Sequence, residues 1–374
     1  MRKLRLLLRA SLVLLVAAHL LWPARKQKQE DEIKTQVREL LPEPPPVVTA
    51  EASRLVFGMA PPARQGLLSR QVRDSLRALF KLQRRSRIVH LRAFVAGSGD
   101  TRRVRAVVSE VFADKKQPLP SLTVVQVGKL PIQGTQVILQ WVAESRKVTN
   151  PEGLAFLSGQ PVASEEVTLE VAPLVRESIA RLGTVLSAAG LAPQDVLRAT
   201  CYCSSLQDSA EVRRAMMEAF PDAVLVHMQL RRAYTTPFVS CEAVARLRES
   251  PGERPRCVKP PGAGESPEQP AAVLVGPVRL AFSGAQLGFQ YQDSDVRLAF
   301  ERLGRSLEAG GTSFAGIVAA RFYPLFGAMA EKIRQHRFEF FDRERPPAMT
   351  MVEPEGLPSL DASFAMEVVA VARR

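Results

Sequence analysis

The chain has 374 residues, 46% of them hydrophobic and 24% charged, with a formal net charge of +13. That balance excludes a disordered polyelectrolyte and allows two or three folded domains of ordinary size. The basic excess admits an anionic membrane or RNA as a partner, although aromatics interleaved with basic residues are missing and DNA is not expected.

The N-terminus reads as a targeting segment. Arg2, Lys3, Arg5 and Arg9 precede an apolar run from Ala10 to Trp22, which Pro23, Arg25, Lys26 and Lys28 close. Extended back to Leu4 the run approaches ~19 residues, close to a bilayer span. Residues 1–24 are expected to be an uncleaved single-pass anchor, with the bulk of the chain extracytoplasmic (periplasmic). The small residues Val16-Ala17-Ala18 offer cleavage of a signal peptide as the alternative, and a cytoplasmic amphipathic segment is a third. Residues 25–50, with Pro42-Glu43-Pro44-Pro45-Pro46, are a charged and proline-rich spacer.

From residue 51 one order of elements recurs three times. Each repeat opens with an apolar strand, at 54–60, 153–159 and 278–284. A helix with apolar residues three and four apart follows, as in Leu174, Ile179, Leu182, Val185 and Leu186 before Gly190. A β-rich run comes next, at 88–96, 196–203 and 317–323, then a second helix leading to an aromatic, at 104–112, 212–220 and 329–341. Two strands close each repeat, the last at 136–143, 238–245 and 363–372. The repeats occupy 51–147, 148–247 and 273–374, and the Pro- and Gly-rich stretch 248–272 is the linker before the third. This is an α+β architecture, and three copies whose sheets have a second apolar face point to an intramolecular trimer.

Cys201 and Cys203 flank Tyr202 on a strand and so share a face, a poor geometry for zinc. They are buried thiols or, in an oxidising compartment, Cys241 pairs with one of the others. No metal site and no cofactor motif is expected. Gly97-Ser98-Gly99-Asp100 lacks the phosphate-loop lysine spacing, and His19, His90, His227 and His336 show no catalytic spacing.

The second copy, with Leu154-Ala155-Phe156-Leu157-Ser158-Gly159-Gln160, then Leu182–Gly190 and Asp195-Val196, resembles the Rid/YjgF family. The third echoes it in Ala281-Phe282-Ser283-Gly284, Pro346-Pro347-Ala348-Met349-Thr350 and Met366-Glu367-Val368. The first shows the family's back half, in 104–112, Pro120-Ser121-Leu122-Thr123 and 137–143. The resemblance implies a chorismate-mutase-like fold, clefts between copies, and hydrolysis of amino-acid-derived enamines and imines with release of ammonia.

In that family an arginine of the penultimate strand holds the substrate carboxylate, for which a planar fork is needed. A glutamate of the last strand orients water. The arginine position falls on Leu122 and Met349 in the first and third copies, and between Ala223 and Leu225 in the second. The glutamate survives as Glu367; Val137 or Ile138 and Ser240 stand elsewhere, with Glu242 two residues beyond Ser240 and on its face. Glu367 is therefore the one catalytic candidate, and Ser158, Gly159, Ser283, Gly284, Glu242, Met349 and Leu122 are expected around the clefts. A turn at a strand end is the simpler role for Ser158 and Ser283. The sequence thus predicts a membrane-tethered, monomeric pseudo-trimer binding a small metabolite or partner without the usual deaminase chemistry. A divergent imine deaminase built around Glu367 is the alternative, and RNA binding is a third.

Overall fold

The computed structural model describes residues 41–97, 99–233, 236–259 and 269–373. The expected anchor, residues 1–24, lies outside them. Among the described residues no helix is long and apolar enough to cross a membrane.

Among the described residues sixteen strands form three sheets. The chain enters through β1 (Val47–Glu51) and continues as β2 (Leu55–Met59), α1 (Leu68–Leu82), β3 (Arg87–Ala96), α2 (Arg102–Asp114), β4 (Ser121–Val127) and β5 (Val137–Glu144). A second series follows: β6 (Leu154–Ala163), α3 (Ala172–Ala188), β7 (Val196–Cys203), α4 (Ser209–Ala219), β8 (Val224–Gln229) and β9 (Phe238–Arg246). After β10 (Arg256–Val258) and β11 (Ala272–Val275) come β12 (Arg279–Ser283), β13 (Gln286–Phe289), α5 (Asp293–Ala309), β14 (Ile317–Pro324), α6 (Gly327–His336), β15 (Ala348–Met351) and β16 (Ala362–Val371).

The four central strands of each sheet follow the same order: β2-β5-β3-β4, β6-β9-β7-β8 and β12-β16-β14-β15. Two antiparallel pairings are followed by one parallel pairing each time. Each third strand is also bulged near its start, between Ile88 and His90, Val196 and Arg198, and Ile317 and Ala319.

Alternation along the strands divides every sheet into two buried faces. One face packs under its own pair of helices: Leu76 and Val108 over Leu91 and Leu139, Leu182 and Met216 over Ala199 and Ala243, Phe300 and Ile333 over Phe322 and Met366. Completely burying a leucine such as Leu182 contributes about 1.5–3 kcal/mol, so each helix pair is held mainly by this face. The other faces of the three sheets meet one another in a shared interior.

Sheet edges depart from the sequence-based boundaries. Val47–Glu51, all but Glu51 expected in the spacer, pairs with β12 of the third sheet, from Val47 opposite Ser283 to Glu51 opposite Arg279. Its β-branched, half-buried residues suit an open sheet edge better than a solvated spacer. The expected linker supplies β10, and β11, which apart from Ala272 was expected in the third copy, extends the second sheet along β6 rather than opening the third. The second helix of the third series ends at His336, short of the expected Phe341, and a short 3-10 turn at 337–339 follows. Cys201 and Cys241 stand opposite each other in the register and form a disulfide, while Cys203 and Cys257 are free.

Candidate functional site

The shared interior is layered because residues two apart on a strand point the same way. On β3 the inward residues are His90, Arg92 and Phe94; on β7 they are Arg198, Thr200 and Tyr202; on β14 they are Ala319, Arg321 and Tyr323. At one end of the interior lie Phe57, Phe156 and Phe282, and at the other Phe94, Tyr202 and Tyr323. Between these apolar layers is a charged one.

Its members sit opposite each other in the register: Arg92 with Gln140, Thr200 with Glu242, Arg321 with Glu367. Gln140 and Glu242 thus hold the places that Glu367 holds in the third sheet. Counting along the sequence puts those places at Val137 or Ile138 and at Ser240, two or three residues earlier. On the neighbouring parallel strands Leu122, Leu225 and Met349 stand at equivalent levels, opposite Leu91, Ala199 and Ala320. The arginine level of the second sheet is therefore Leu225.

Both carboxylates are consumed by interior partners. Arg92 Nη2 lies 2.5 Å from Glu367 Oε1, and Thr123 donates a short hydrogen bond to its other oxygen. His90 Nε2 is 3.3 Å away, and the Tyr323 hydroxyl donates at 3.3 Å. Glu242 accepts from Arg321 Nε, 2.7 Å from both its oxygens, and from Thr350 Oγ1 at 2.7 Å. Arg92 joins the halves, with Nη1 3.1 Å from Gln140 and 3.4 Å from Glu242. Gln140 in turn donates to Thr200 at 2.8 Å. Glu242, Glu367 and Arg92 are each 2% exposed.

The electrostatics follow from this crowding. Burial alone would raise the Glu367 carboxyl, but Arg92, His90 and Arg321 outweigh it and hold it well below the usual carboxylate range. Burial pushes Glu242 upward too, and Arg321, Arg92 and Arg198 bring it below its ordinary value. His90 goes down because burial dominates over Glu367. Both glutamates are thus anions, and neither is poised near neutrality as a general base must be.

Three seams between the sheets carry the remaining expected residues. In the first, Leu122 meets Ser283 and Gly284: Leu122 O accepts from Ala285 N at 3.1 Å, and a Cβ on Gly284 would lie 2.8 Å from that same oxygen. The adjoining cleft, about 340 Å³, is walled on one side by Pro44, Pro45 and Pro46, so the proline run lies along the fold here. In the second, Met349 meets Ser158 and Gly159. Ser158 Oγ donates to Pro270 O at 2.6 Å and accepts from Met349 N at 3.0 Å. A Cβ on Gly159 would stand 3.1 Å from Thr350. The cleft outside this seam is about 440 Å³, with Gln160, Arg181, Thr184 and Gln269 as polar groups on an otherwise apolar wall. The third seam joins Leu225 to Met59 around about 260 Å³. Gly58, which breaks the Ser-Gly pair in the first series, lies beneath the Trp141 ring of its own sheet instead.

The two glycines therefore serve close approach of a neighbouring sheet, and Ser158 is a cross-link between sheets. Ser283 Oγ, 2.8 Å from Val368 N, ties β12 to β16 beside Glu367. Glu367 and Ser283 are brought to one seam and Glu242, Ser158 and Met349 to another. Both glutamates lie on the interior side of their seams. His90, Arg92, Arg198 and Arg321 had not been singled out as site residues. Their signal was available: a charge in the middle of an apolar strand, as in LRAFVA or AARFYP, has to find a buried partner. Among the described residues no cluster of His, Cys, Asp or Glu could hold a metal ion.

Residues 145–252 match the family model described as Endoribonuclease L-PSP. Solved structures similar to the chain include a YjgF-family protein from Neisseria meningitidis, 18% identical over 33% of this chain and 98% of its own, with a TM-score of 0.24. A YjgF-family member from Mycobacterium tuberculosis is 22% identical over 26% of this chain and 81% of its own, with a TM-score of 0.21. RidA from an Antarctic Psychrobacter is 18% identical over 25% and 80%, with a TM-score of 0.23. No curated protein matches the chain.

Proposed function

We propose that the chain is three diverged Rid-like copies folded as one polypeptide counterpart of a trimer, and that it binds a small molecule at an inter-copy cleft without deaminase chemistry. The observation carrying this reading is the separation of the interior arginine–glutamate pairs from the seams. Leu122, Leu225 and Met349 occupy the level where a carboxylate clamp would stand, while the guanidinium groups of Arg92 and Arg321 lie behind it, paired to Glu367 and Glu242. A leucine or methionine cannot offer the bidentate fork a carboxylate requires. A glutamate held as an anion by buried arginines cannot take a proton from water near neutral pH. The repeated strand order supports the three-copy organisation. The roomiest seam, beside Ser158 and Met349, is of the size and mixed lining that small ligands use.

The N-terminal segment tethers this body to a membrane with its bulk outside the cytoplasm. The Cys201–Cys241 disulfide supports such an oxidising compartment.

The test is ammonia release from imines generated freshly by an amino-acid oxidase. The expected result is release no faster than with the oxidase alone. Release above that background, abolished in Glu367→Gln that retains its far-UV spectrum, would overturn the reading in favour of a divergent deaminase. Light scattering on the folded portion checks the organisation: a monomer is expected, and a homotrimer of whole chains contradicts it.

A further inference from the structure

Arg198 is what the ion pairs of the interior leave over. It occupies on β7 the level held by His90 on β3 and Ala319 on β14, each opposite a valine of the adjacent strand. The residue is only 5% exposed, yet among the described residues its side chain makes no hydrogen bond and no ion pair. Its guanidinium lies over the Phe57 ring, 5.2 Å from the centroid. A guanidinium has five N–H donors, and a ring face satisfies none of them as an acceptor oxygen would.

Charge makes the imbalance sharper. Arg92, Arg198 and Arg321 are confined with Glu242 and Glu367, and His90, lowered by burial, adds no charge at neutral pH. Burial draws Arg198 down to about 9, with Arg92 and Arg321 pushing the same way, so it too remains a cation at pH 7. One positive charge is uncompensated in an interior where an unpaired charge is among the costliest arrangements.

Arg198 borders a small cavity together with His90, Phe57, Phe156, Phe282 and Glu367. Its volume is about 10 Å³, room for one water-sized particle. Water can accept a hydrogen bond here but cannot neutralise the charge. Ser283 lines both this cavity and the cleft beside Leu122, so the two are separated by that one residue's width at this point.

We propose that this central cavity is an anion site holding one halide-sized monovalent anion, chloride in ordinary salt, with Arg198 as its main ligand. The size excludes phosphate, sulfate and carboxylates. Its walls come from all three sheets, through Phe57 and His90, Phe156 and Arg198, and Phe282. The anion is therefore a counter-ion shared by the whole assembly, and it is independent of whether the outer clefts bind anything.

The full chain should be melted in sodium chloride and in sodium gluconate at equal ionic strength. The midpoint should climb with the logarithm of chloride concentration and stay flat in gluconate, because a ligand that binds only the folded state raises the midpoint by mass action. Arg198→Met, which keeps the stem and removes the charge, should lose the chloride response and melt no lower than the native chain does in gluconate. Crystals grown in bromide should show an anomalous peak beside Arg198, a readout that does not depend on the variant folding. A melting midpoint indifferent to chloride, a chloride response retained in Arg198→Met, or a cavity free of bromide would each overturn the proposal.

Discussion

The interior charged layer and the seams are built on neighbouring strands, one residue apart in register, and face different surroundings. Arg92 and Arg321 point inward where Leu122 and Met349, across the parallel pairing, line the seams. Functional residues in a cleft are expected to be few, accessible and electrostatically poised. Here Glu242 and Glu367, whose carboxyls are lowered, are buried on the interior side of the seams. In Glu242 and Glu367 the perturbation marks what holds three sheets together, which separates pKa perturbation from catalysis as signals.

That contrast can be broken most forcibly at its centre. Glu367→Ala leaves Arg92 and His90 buried without their anion and should cost about 3–5 kcal/mol, read from the shift of the denaturation midpoint. Acid should do the same reversibly. Glu367, Glu242 and His90 all bind protons less readily in the folded chain than in the unfolded one. Protonation therefore favours unfolding. Stability should begin to fall below the ordinary histidine value of 6.5 and fall more steeply below the carboxyl value of 4.5, as thermal melts between pH 7 and 3 would record. A midpoint unchanged across that range would remove the charged layer from the account of stability.

The seam should respond less. Ser158→Ala strands Pro270 O and Met349 N together, for about 1–3 kcal/mol by chemical denaturation. Smallest of all is the cleft rim, where Arg181→Ala removes an exposed pair with Glu177 and should stay within about 1 kcal/mol in the same measurement. A rim substitution more damaging than Ser158→Ala would reverse the ordering of centre and periphery.

Most of the fold was legible because its elements are strongly periodic. The strand expected at 196–203 is β7, and those expected at 88–96 and 238–245 differ from β3 and β9 by a residue. The charged layer was not legible, for two physical reasons. Strand pairing joins residues far apart in sequence, such as Arg92 and Glu242, and no local pattern announces which charge meets which. The glutamate level also depends on register, and each third strand carries a bulge just before its inward charged or small residue. These bulges recur at one level in all three copies, so which residue of the last strand faces the third strand is fixed only by the pairing itself. For the same reason Glu242 read as a neighbour of the glutamate position, although the register makes it that position.

The pairing of β1 with β12 bears on how the chain is made. Thr49 and Arg279, which meet across that edge, are 230 residues apart. At ribosomal rates of roughly 5–20 residues per second, β1 emerges about ten seconds or more before its partner strand exists. Until then its backbone groups have no sheet to complete, and the third sheet cannot close its edge before the chain is nearly finished. Among the described residues the earliest strand thus waits for a partner some 230 residues later, which leaves the nascent protein with an unpaired strand through most of its synthesis.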